Sequence, residues 1–449
     1  MSIEQRDHVF ITRYWRDAVT SSDKRHTSQL AWIATMLSMF GMILTLAGSA
    51  AGAVLFIVAW APIAIRRADR CLAALVRSPG LWLIPAFALL SATWSEAPAA
   101  TLRAAAELAV TAGIASLTAA FVSPRAFVSA ISIGLLAAAV LSLAFGRYGV
   151  DGMTGETVFL GVFASKNTMA LFMSLLAIVS ACLLADQSQP AVSRLLAVLS
   201  FVLSIPLLLR ARSAGALVTT GASFAALLAI AAFARMRARE RLLIVAGLFA
   251  VTVPITVIAG LLALNGTLGQ AATEFISGVL GKDATLTGRT VLWQIALTEI
   301  AKRPFLGIGY YAFWLQGNLL AESIWRQFSI ESRTGFSFHD TFIEFAVELG
   351  WIGTALLVVT LAQVLERIVR LALANRTWAT ACLAGLVICL ISRTFDEVDL
   401  PYPFAAPTYL FFVAAAYGAD YARSVRIIRN QTVTARLALA SAEPFRTGQ

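Results

Sequence analysis

The chain has 449 residues, of which 59% are hydrophobic and only 13% are charged. A soluble globular domain keeps about a quarter of its residues charged, so this composition excludes an ordinary water-soluble fold and indicates a protein mostly surrounded by lipid. The formal net charge of +10 would suit nucleic acid. However, the basic residues gather between apolar segments on one predicted side of a membrane, so nucleic acid is not expected as a partner.

Apolar segments of membrane-spanning length recur along most of the chain. A span needs about 20 apolar residues and must satisfy its own backbone hydrogen bonds, which these alanine- and leucine-rich segments do as helices. The sequence therefore predicts an all-α polytopic membrane protein with about twelve transmembrane helices. The predicted spans are 30–47, 49–65, 79–94, 101–122, 126–146, 168–186, 191–209, 214–234, 242–264, 341–365, 378–394 and 403–421.

The same pattern divides the chain into five parts. They are a cytoplasmic N-terminal tail (1–29), helices 1–9 (30–264), a large periplasmic loop (265–340), helices 10–12 (341–421) and a cytoplasmic C-terminal tail (422–449). No small-residue cleavage site follows the first apolar segment, which is predicted to stay as an anchor. Basic clusters such as RRADR (66–70) and ARMRARER (234–241) fall on the same side as both tails, and the positive-inside rule assigns that side to the cytoplasm. The four cysteines show no metal-ligand spacing and are interpreted as packing residues.

The segment 265–340 is long and rich in aromatic residues, which is typical of a functional loop or lid. Within it, LTGRTVLWQIALTEIAKRPFLGIGYYAF (286–313) predicts an amphipathic helix that Thr287 caps and Pro304 ends, followed by a glycine turn. The apolar stripe of this helix consists of Leu292, Ile295, Ala296 and Ile300. A helix of this kind could lie in the outer headgroup region.

Ionisable residues from well-separated parts of the chain fall in one predicted layer at the outer membrane surface. The basic members are Lys166, Arg210, Arg212, Arg289 and His339. Such a cationic layer is what a lipid-linked phosphate requires, although arginines at the end of a span also snorkel to headgroups.

Acidic residues accompany this layer in two groups. Asp340, Glu344 and Glu348 recur at helical spacing around the start of the tenth predicted span, where pairing with arginines or facing a wet cavity is expected. The second group, Asp396, Glu397 and Asp399, is interpreted as a solvated loop of counter-charges to the arginines.

Six motifs occur in an order that resembles a known family. They are WSEAPAATLR (94–103), GVFASKNTMA (161–170), RARSAG (210–215), LTGRTVLW (286–293), RPFLGIGYYAF (303–313) and HDTFIEFAVELGWIG (339–353). Together they resemble the bacterial O-antigen ligases and the related O-antigen and exopolysaccharide polymerases. The resemblance implies a multi-helix bundle in the bacterial inner membrane, with a large periplasmic loop before the last few spans. Beyond the resemblance, the WSEAP segment is interpreted as an aromatic belt and a helix start, without chemistry.

The resemblance also implies an activity, which is transfer of a glycan from undecaprenyl diphosphate to an acceptor hydroxyl at the periplasmic face. By motif match, His339 and Arg289 would be catalytic. The diphosphate would be bound by Arg210 or Arg212, with Lys166 as a further candidate. Family members often have a histidine before the Lys-Asn pair, where this chain has Ser165.

The residue types suit this chemistry. The sequence shows no histidine and aspartate cluster at ligand spacing, so neither a metal nor another cofactor is expected, and arginine forks would carry the diphosphate charge. His339 could take the proton of the acceptor hydroxyl, and attack opposite the diphosphate would invert the anomeric centre. Glu344 is a candidate base partner and Asp340 a candidate support for this imidazole.

Three functions stay open at this point. A polymerase would extend a lipid-linked glycan, whereas a ligase would use lipid A-core as its acceptor, and the WSEAPAATLR pattern leans towards polymerases. A transporter or flippase also commonly has twelve helices, but its ionisable residues would be expected near the bilayer midplane and its halves would repeat. Sugar identity and oligomeric state do not follow from the sequence.

Overall fold

The structure is a computed structural model and describes residues 27–46, 50–150, 157–236, 240, 288–328, 330 and 336–442. The predicted span 242–264, residues 265–287 of the predicted periplasmic loop, most of the predicted N-terminal tail and the last seven residues of the predicted C-terminal tail lie outside these residues.

Helices account for most of the described chain. The helices are α1 (Gln29–Leu46), α2 (Ala50–Val58), α3 (Ala61–Arg66), α4 (Ala68–Arg77), α5 (Leu83–Ser91), α6 (Pro98–Phe121), α7 (Pro124–Phe145), α8 (Lys166–Ala185), α9 (Ala191–Arg210), α10 (Ala214–Arg235), α11 (Arg289–Lys302), α12 (Leu319–Gln327), α13 (Thr341–Asn375), α14 (Trp378–Arg393) and α15 (Ala406–Ala442). A 3₁₀ turn, Pro79–Trp82, precedes α5, and the strands β1 (Arg147–Val150) and β2 (Thr157–Gly161) follow α7.

Six of the described helices are long and apolar enough to cross a membrane. They are α6, α7, α8, α9, α10 and α13. The bent pair Ala50–Arg66 and Ala68–Arg77 would make a seventh span if it counts as one. Three further apolar helices are shorter, at 10–17 residues. The prediction of a helical membrane protein is therefore confirmed, whereas this count does not support twelve spans.

Two predicted spans are interrupted in the structure. The segment predicted as 49–65 breaks after α2, resumes as α3 with Pro62 in its first turn, and then turns by 115° into α4. Trp60 at the break donates its indole N–H to Ser38 Oγ at 2.9 Å, which ties the break to α1. The segment predicted as 79–94 is a 3₁₀ turn followed by the nine-residue helix α5.

The prediction of an all-α fold needs one correction, because β1 and β2 form an antiparallel hairpin. Their residues include tyrosine, valine, threonine and phenylalanine, which favour strands. Tyr148 and Phe159 face each other across the hairpin with ring centroids 5.2 Å apart. The hairpin leads directly to the start of α8 and helps to fix the position of that start.

Helix α8 lies at the centre of the bundle. It packs against α7, α9, α10 and α14, and 78% of its most apolar window is buried. Outside this centre, α6 packs along α15, and α13 packs against α14 and α15. The polar ends of α8, α13 and α14 are thereby brought to one end of the bundle, where Asn167, Thr341 and Thr394 are linked to the same short connection after α14.

Helix α13 is broken at Gly350, which adopts φ 64° and ψ −171°. The loop of residues 303–309 packs into this break. The amide of Trp351 donates to Pro304 O at 2.7 Å and that of Ile352 to Phe305 O at 3.3 Å. A Cβ on Gly350 would lie 2.3 Å from the Phe305 carbonyl oxygen, so only glycine fits this close approach.

The same loop is held from its other side by the segment WSEAP. Glu96 N donates to Ile308 O at 2.9 Å, Trp94 Nε1 donates to Leu306 O at 3.0 Å, and Arg303 forms an ion pair with Glu96 at 3.0 Å. This segment therefore contributes more than the aromatic belt predicted for it. It fixes the 303–309 loop against α13.

Candidate functional site

One buried carboxylate collects side chains from three distant parts of the chain. Glu397, on the connection between α14 and α15, lies with both carboxylate oxygens 3.3 Å from His339 Nδ1. Arg289 Nη2 lies 3.3 Å from Glu397 Oε1, and Asn167 Nδ2 donates to the same oxygen. Arg289 Nη1 also pairs with Asp396. We call His339, Arg289, Asn167, Asp396 and Glu397 the Glu397 cluster.

His339 is held in place by the start of α13. It precedes the N-cap Asp340, whose carboxylate accepts the Phe342 and Ile343 amides at 2.8 and 2.9 Å. His339 itself has φ 54°, a left-handed conformation that is uncommon for a residue with a side chain and is maintained here by its surroundings. Asp340 therefore acts as the cap of α13 and supports the backbone of the adjacent His339.

Two further contacts fix the segment that carries His339. Thr341 donates its amide to Thr394 O at 2.9 Å and its hydroxyl to Glu397 O at 2.8 Å, which joins the start of α13 to the end of α14. Glu344 accepts the amide of Phe338 at 2.8 Å. The carboxylate next to the His339 imidazole is thus Glu397. The structure does not support Glu344 as its base partner and instead shows Glu344 holding the neighbouring backbone.

Arg289 is the first residue of α11. The helix begins after Gly288, which has φ 83°, so the predicted cap at Thr287 is replaced by a glycine, and Thr287 itself lies outside the described residues. One turn later, Trp293 donates its indole N–H to Phe338 O at 2.9 Å. This bond locks the start of α11 to the residue before His339.

The apolar stripe of α11 packs against protein. Leu292, Ala296 and Ile300 are buried in a second apolar core that includes Trp325 and Phe338. The stripe is therefore buried by this core and not by the outer headgroup region that was considered from the sequence. Aromatic rings continue this core up to the imidazole, since the Phe336 ring meets the His339 ring edge-on at 5.7 Å. The result is a firm apolar support beneath the Glu397 cluster.

The sequence interpretation of 396–399 as a solvated loop is wrong for Glu397, whose side chain is only 12% exposed. The expectation that this group provides counter-charges holds, because Glu397 and Asp396 pair with Arg289 and Asp399 pairs with Arg393. Sequence reasoning also missed Arg393, which is 1% exposed and reaches Asn167 O through Nη2 at 3.5 Å. The signal available for it was a lone arginine at the end of an apolar helix followed by three carboxylates.

The electrostatics of this group favour an ionised Glu397. Burial alone would raise its pKa, but His339, together with Arg393 and Arg289, outweighs burial, so the pKa of Glu397 lies below its ordinary value. For Asp399, burial is the larger effect and raises the pKa even though Arg393 opposes it. Glu397 is therefore the carboxylate that stays charged beside the imidazole.

The remaining predicted basic residues border the cluster in different ways. Lys166 begins α8 and is partly buried, directly before Asn167. Asn167 Oδ1 accepts the hydroxyl of Ser213 at 3.0 Å, so the turn between α9 and α10 reaches the cluster. Arg210 and Arg212 lie on this turn with exposed side chains. Within the described part of the chain, neither arginine forms an ion pair.

Gly215, at the start of α10, allows this turn to approach the Glu397 cluster closely. A Cβ on Gly215 would collide with the carboxylate of Asp396, at 1.8 Å from Oδ2. The structure thus joins His339 and Arg289 through Glu397 and places the turn that bears Arg210 and Arg212 beside them. It also adds Asn167 and Glu397, which the sequence interpretation did not select. Among the described residues, no group of three or more histidine, cysteine, aspartate or glutamate side chains could hold a metal ion.

Comparison with known proteins gives two matches. Residues 199–358 match the family model described as O-antigen ligase, a range that contains Arg210, Arg212, Arg289 and His339. The chain is also 31% identical over 345 residues to the exopolysaccharide production protein ExoQ of Rhizobium meliloti (strain 1021), covering 75% of this chain and 76% of that protein. The chain therefore belongs to the bacterial family of O-antigen ligases and O-antigen and exopolysaccharide polymerases, and is a multi-pass membrane protein of polysaccharide assembly.

Proposed function

We propose that this chain is an exopolysaccharide polymerase of the inner membrane. It transfers a glycan from undecaprenyl diphosphate to an acceptor hydroxyl of a second lipid-linked glycan at the periplasmic face. The observation that carries the proposal is the meeting of His339 and Arg289 at Glu397, which sets a proton acceptor beside a phosphate-binding side chain. The name of the Rhizobium relative, an exopolysaccharide production protein, supports exopolysaccharide over O-antigen as the product.

In this proposal His339 is the general base. Glu397 accepts the Nδ1 hydrogen, which leaves Nε2 with the lone pair that can take a proton. Nε2 is buried, and no residue in the described ranges hydrogen-bonds to it. A buried polar atom without a partner costs stability, so a substrate hydroxyl is a natural partner for this atom.

Transfer forms one bond at the anomeric carbon and breaks another. The acceptor oxygen attacks the anomeric carbon and gives its proton to His339 Nε2. The bond between the anomeric carbon and the diphosphate oxygen breaks, and its electron pair leaves with undecaprenyl diphosphate. Attack from the face opposite the leaving group inverts the anomeric centre.

The arginines stabilise the charge that grows on the leaving diphosphate, with no need for a metal in this proposal. A guanidinium offers five N–H donors in a planar fork, and Arg289 uses two of its nitrogens on carboxylates here. A phosphate that binds Arg289 must share or release Asp396, the more exposed of the two carboxylates. Arg210 or Arg212, on the adjoining turn, adds a second guanidinium, and Lys166 adds an ammonium group.

The experiment that tests the function uses the purified chain in liposomes with undecaprenyl-diphosphate-linked repeats as the sole substrate. A ladder of glycan lengths that also forms in excess EDTA supports the polymerase without a metal. A product that appears only after lipid A-core is added would instead identify a ligase. Movement of the lipid-linked glycan across the bilayer without a new bond would identify a transporter.

The membrane orientation is part of the same proposal. Both termini are placed in the cytoplasm and the Glu397 cluster at the periplasmic face, on the support of the basic clusters 66–70 and 234–241. Alkaline phosphatase fused after residue 340 is expected to be active, and the same enzyme fused after residue 77 to be inactive. The reverse pattern would place the cluster in the cytoplasm and exclude the proposed site of transfer.

A further inference from the structure

A cavity of about 380 Å³ opens at the end of the bundle away from the Glu397 cluster. Phe121, the last residue of α6, lines it. The other end of α6 follows Glu96, which contacts the 303–309 loop. At 1.5 Å per residue, α6 separates these two ends by about 36 Å.

Basic side chains surround this cavity. Arg66, Arg67 and Arg70 line it from the junction of α3 and α4, and all three are exposed. No carboxylate in the described ranges pairs with any of them, although other exposed arginines of the chain, such as Arg370, do have such partners. The start of α1 also borders the cavity at Ser28 and Leu30, so the positive end of the helix dipole adds to the field.

The rest of the lining is apolar. Leu30, Ile63 and Phe121 contribute hydrocarbon and aromatic surface. A soluble anion would make no favourable contact with this apolar surface. A phospholipid would, because it places an anionic headgroup and an apolar glyceride region next to each other.

The position of α4 agrees with a lipid. The chain turns by 115° into this helix, so if the preceding helices cross the bilayer, α4 runs close to the membrane plane. Its inner side buries Cys71 and Ala74 against the protein. On its outer side Leu72 and Val76 are 65% and 76% exposed, although they are apolar. A short helix with basic and apolar exposed faces is typical of the membrane interface.

We propose that this cavity binds one anionic phospholipid, whose phosphodiester lies among the guanidinium groups of Arg66, Arg67 and Arg70 and whose acyl chains cover Leu72 and Val76. The site lies on the side assigned to the cytoplasm by the basic residues. It is separate from the Glu397 cluster and does not depend on the function proposed for that cluster.

Native mass spectrometry of the full-length protein in detergent, titrated with phosphatidylglycerol, tests this proposal. We expect one tightly retained phosphatidylglycerol and no comparable retention of phosphatidylcholine. Each arginine near an anionic lipid surface contributes about fivefold to binding, so the double variant Arg66→Gln/Arg70→Gln should weaken retention by at least about tenfold. The double variant Arg66→Lys/Arg70→Lys should fall between, because it keeps the charge and loses the planar fork.

The matched control is Arg423→Gln/Arg426→Gln. These two arginines are exposed on α15 near Asp420, which pairs with Arg77 of α4, so they lie at the same end of the bundle and carry the same charge. The control should retain phosphatidylglycerol like the wild type. Equal loss of phosphatidylglycerol from Arg66→Gln/Arg70→Gln and from Arg423→Gln/Arg426→Gln would reduce the effect to general surface charge and overturn the site. Displacement of the lipid by millimolar inorganic phosphate, or equal retention of phosphatidylcholine, would overturn it as well.

Discussion

His339 Nδ1 and the Glu397 carboxylate lie 3.3 Å apart, although 58 residues separate them in the chain. The two residues come from the start of α13 and from the connection after α14, and Thr341 joins these elements through two hydrogen bonds. The orientation of the imidazole therefore depends on the packing of two helices against each other.

Replacement of His339, the proposed base, should remove most of the proposed transfer activity. Because general-base catalysis contributes about 10²- to 10⁴-fold, we expect His339→Ala to lower the single-turnover rate by at least about 100-fold. Glycan transfer from lipid-linked repeats in liposomes measures this rate. A wild-type rate in a correctly folded His339→Ala protein would exclude the base role.

Glu397 should act through His339. We expect Glu397→Gln to slow transfer by roughly 10- to 100-fold, since the amide cannot stabilise the imidazolium that forms, at about 1.4 kcal/mol per tenfold change. The double variant His339→Ala/Glu397→Gln should be no slower than His339→Ala alone, because two residues that act as a unit are not additive. Rate losses that multiply in the double variant would show that the two residues act independently.

The phosphate-binding role proposed for Arg289 would depend on its planar fork as well as on its charge. We expect Arg289→Lys to lower kcat/KM by roughly 10- to 100-fold, since it keeps the charge and loses bidentate geometry. Arg326→Gln, an exposed arginine on α12 of the same loop, is the control and should leave kcat/KM unchanged. Equal effects of the two substitutions would remove the specific role of Arg289.

Acid should weaken the folded state through Glu397. Its pKa in the folded chain is below the ordinary 4.5, so its contribution to stability is present above pH 4.5 and is lost as the pH falls through the lowered value. The difference in melting temperature between wild type and Glu397→Gln, measured in detergent, should be largest at pH 5–7 and should shrink below pH 4.5. A difference that stays constant down to pH 3 would contradict this linkage.

The break in α13 requires glycine. Gly350→Ala would force a side chain into φ 64° and against the Phe305 carbonyl, so we expect a loss of stability of at least about 1–3 kcal/mol. Gly221→Ala in α10 is the matched control, because nothing lies within 4 Å of the added Cβ, and it should be neutral or slightly stabilising. A Gly350→Ala protein as heat-stable as this control would show that the break tolerates a side chain.

The sequence identified the membrane class and selected both His339 and Arg289, because hydropathy and short motifs are local properties. It could not show that Glu397 is buried, because three carboxylates in a short loop look the same whether water or an arginine surrounds them. Only the packing of α11, α13 and α14 decides between these surroundings. Asn167, which lies next to Lys166, is not selected from the sequence either, because its contact with Glu397 also depends on helix packing.

The helix count illustrates a different limit. A hydropathy window registers apolar length but not direction, so it predicts 49–65 as one span where the chain breaks after α2 and bends by 115° after α3. The sequence does not predict the hairpin of β1 and β2, because the connection that contains it is glycine-rich. In both places tertiary contacts, such as the bond from Trp60 to Ser38, determine a geometry that composition does not encode.

The loop that fills the break in α13 also bears on how the protein is made. Hydrocarbon offers no hydrogen-bond partner to a backbone amide. If α13 entered the bilayer alone, the N–H groups of Trp351 and Ile352 would therefore lack hydrogen-bond acceptors. Those groups are satisfied only when Pro304 and Phe305 dock from the preceding loop. Completion of this span is therefore coupled to docking of the 303–309 loop, which precedes the span in the chain.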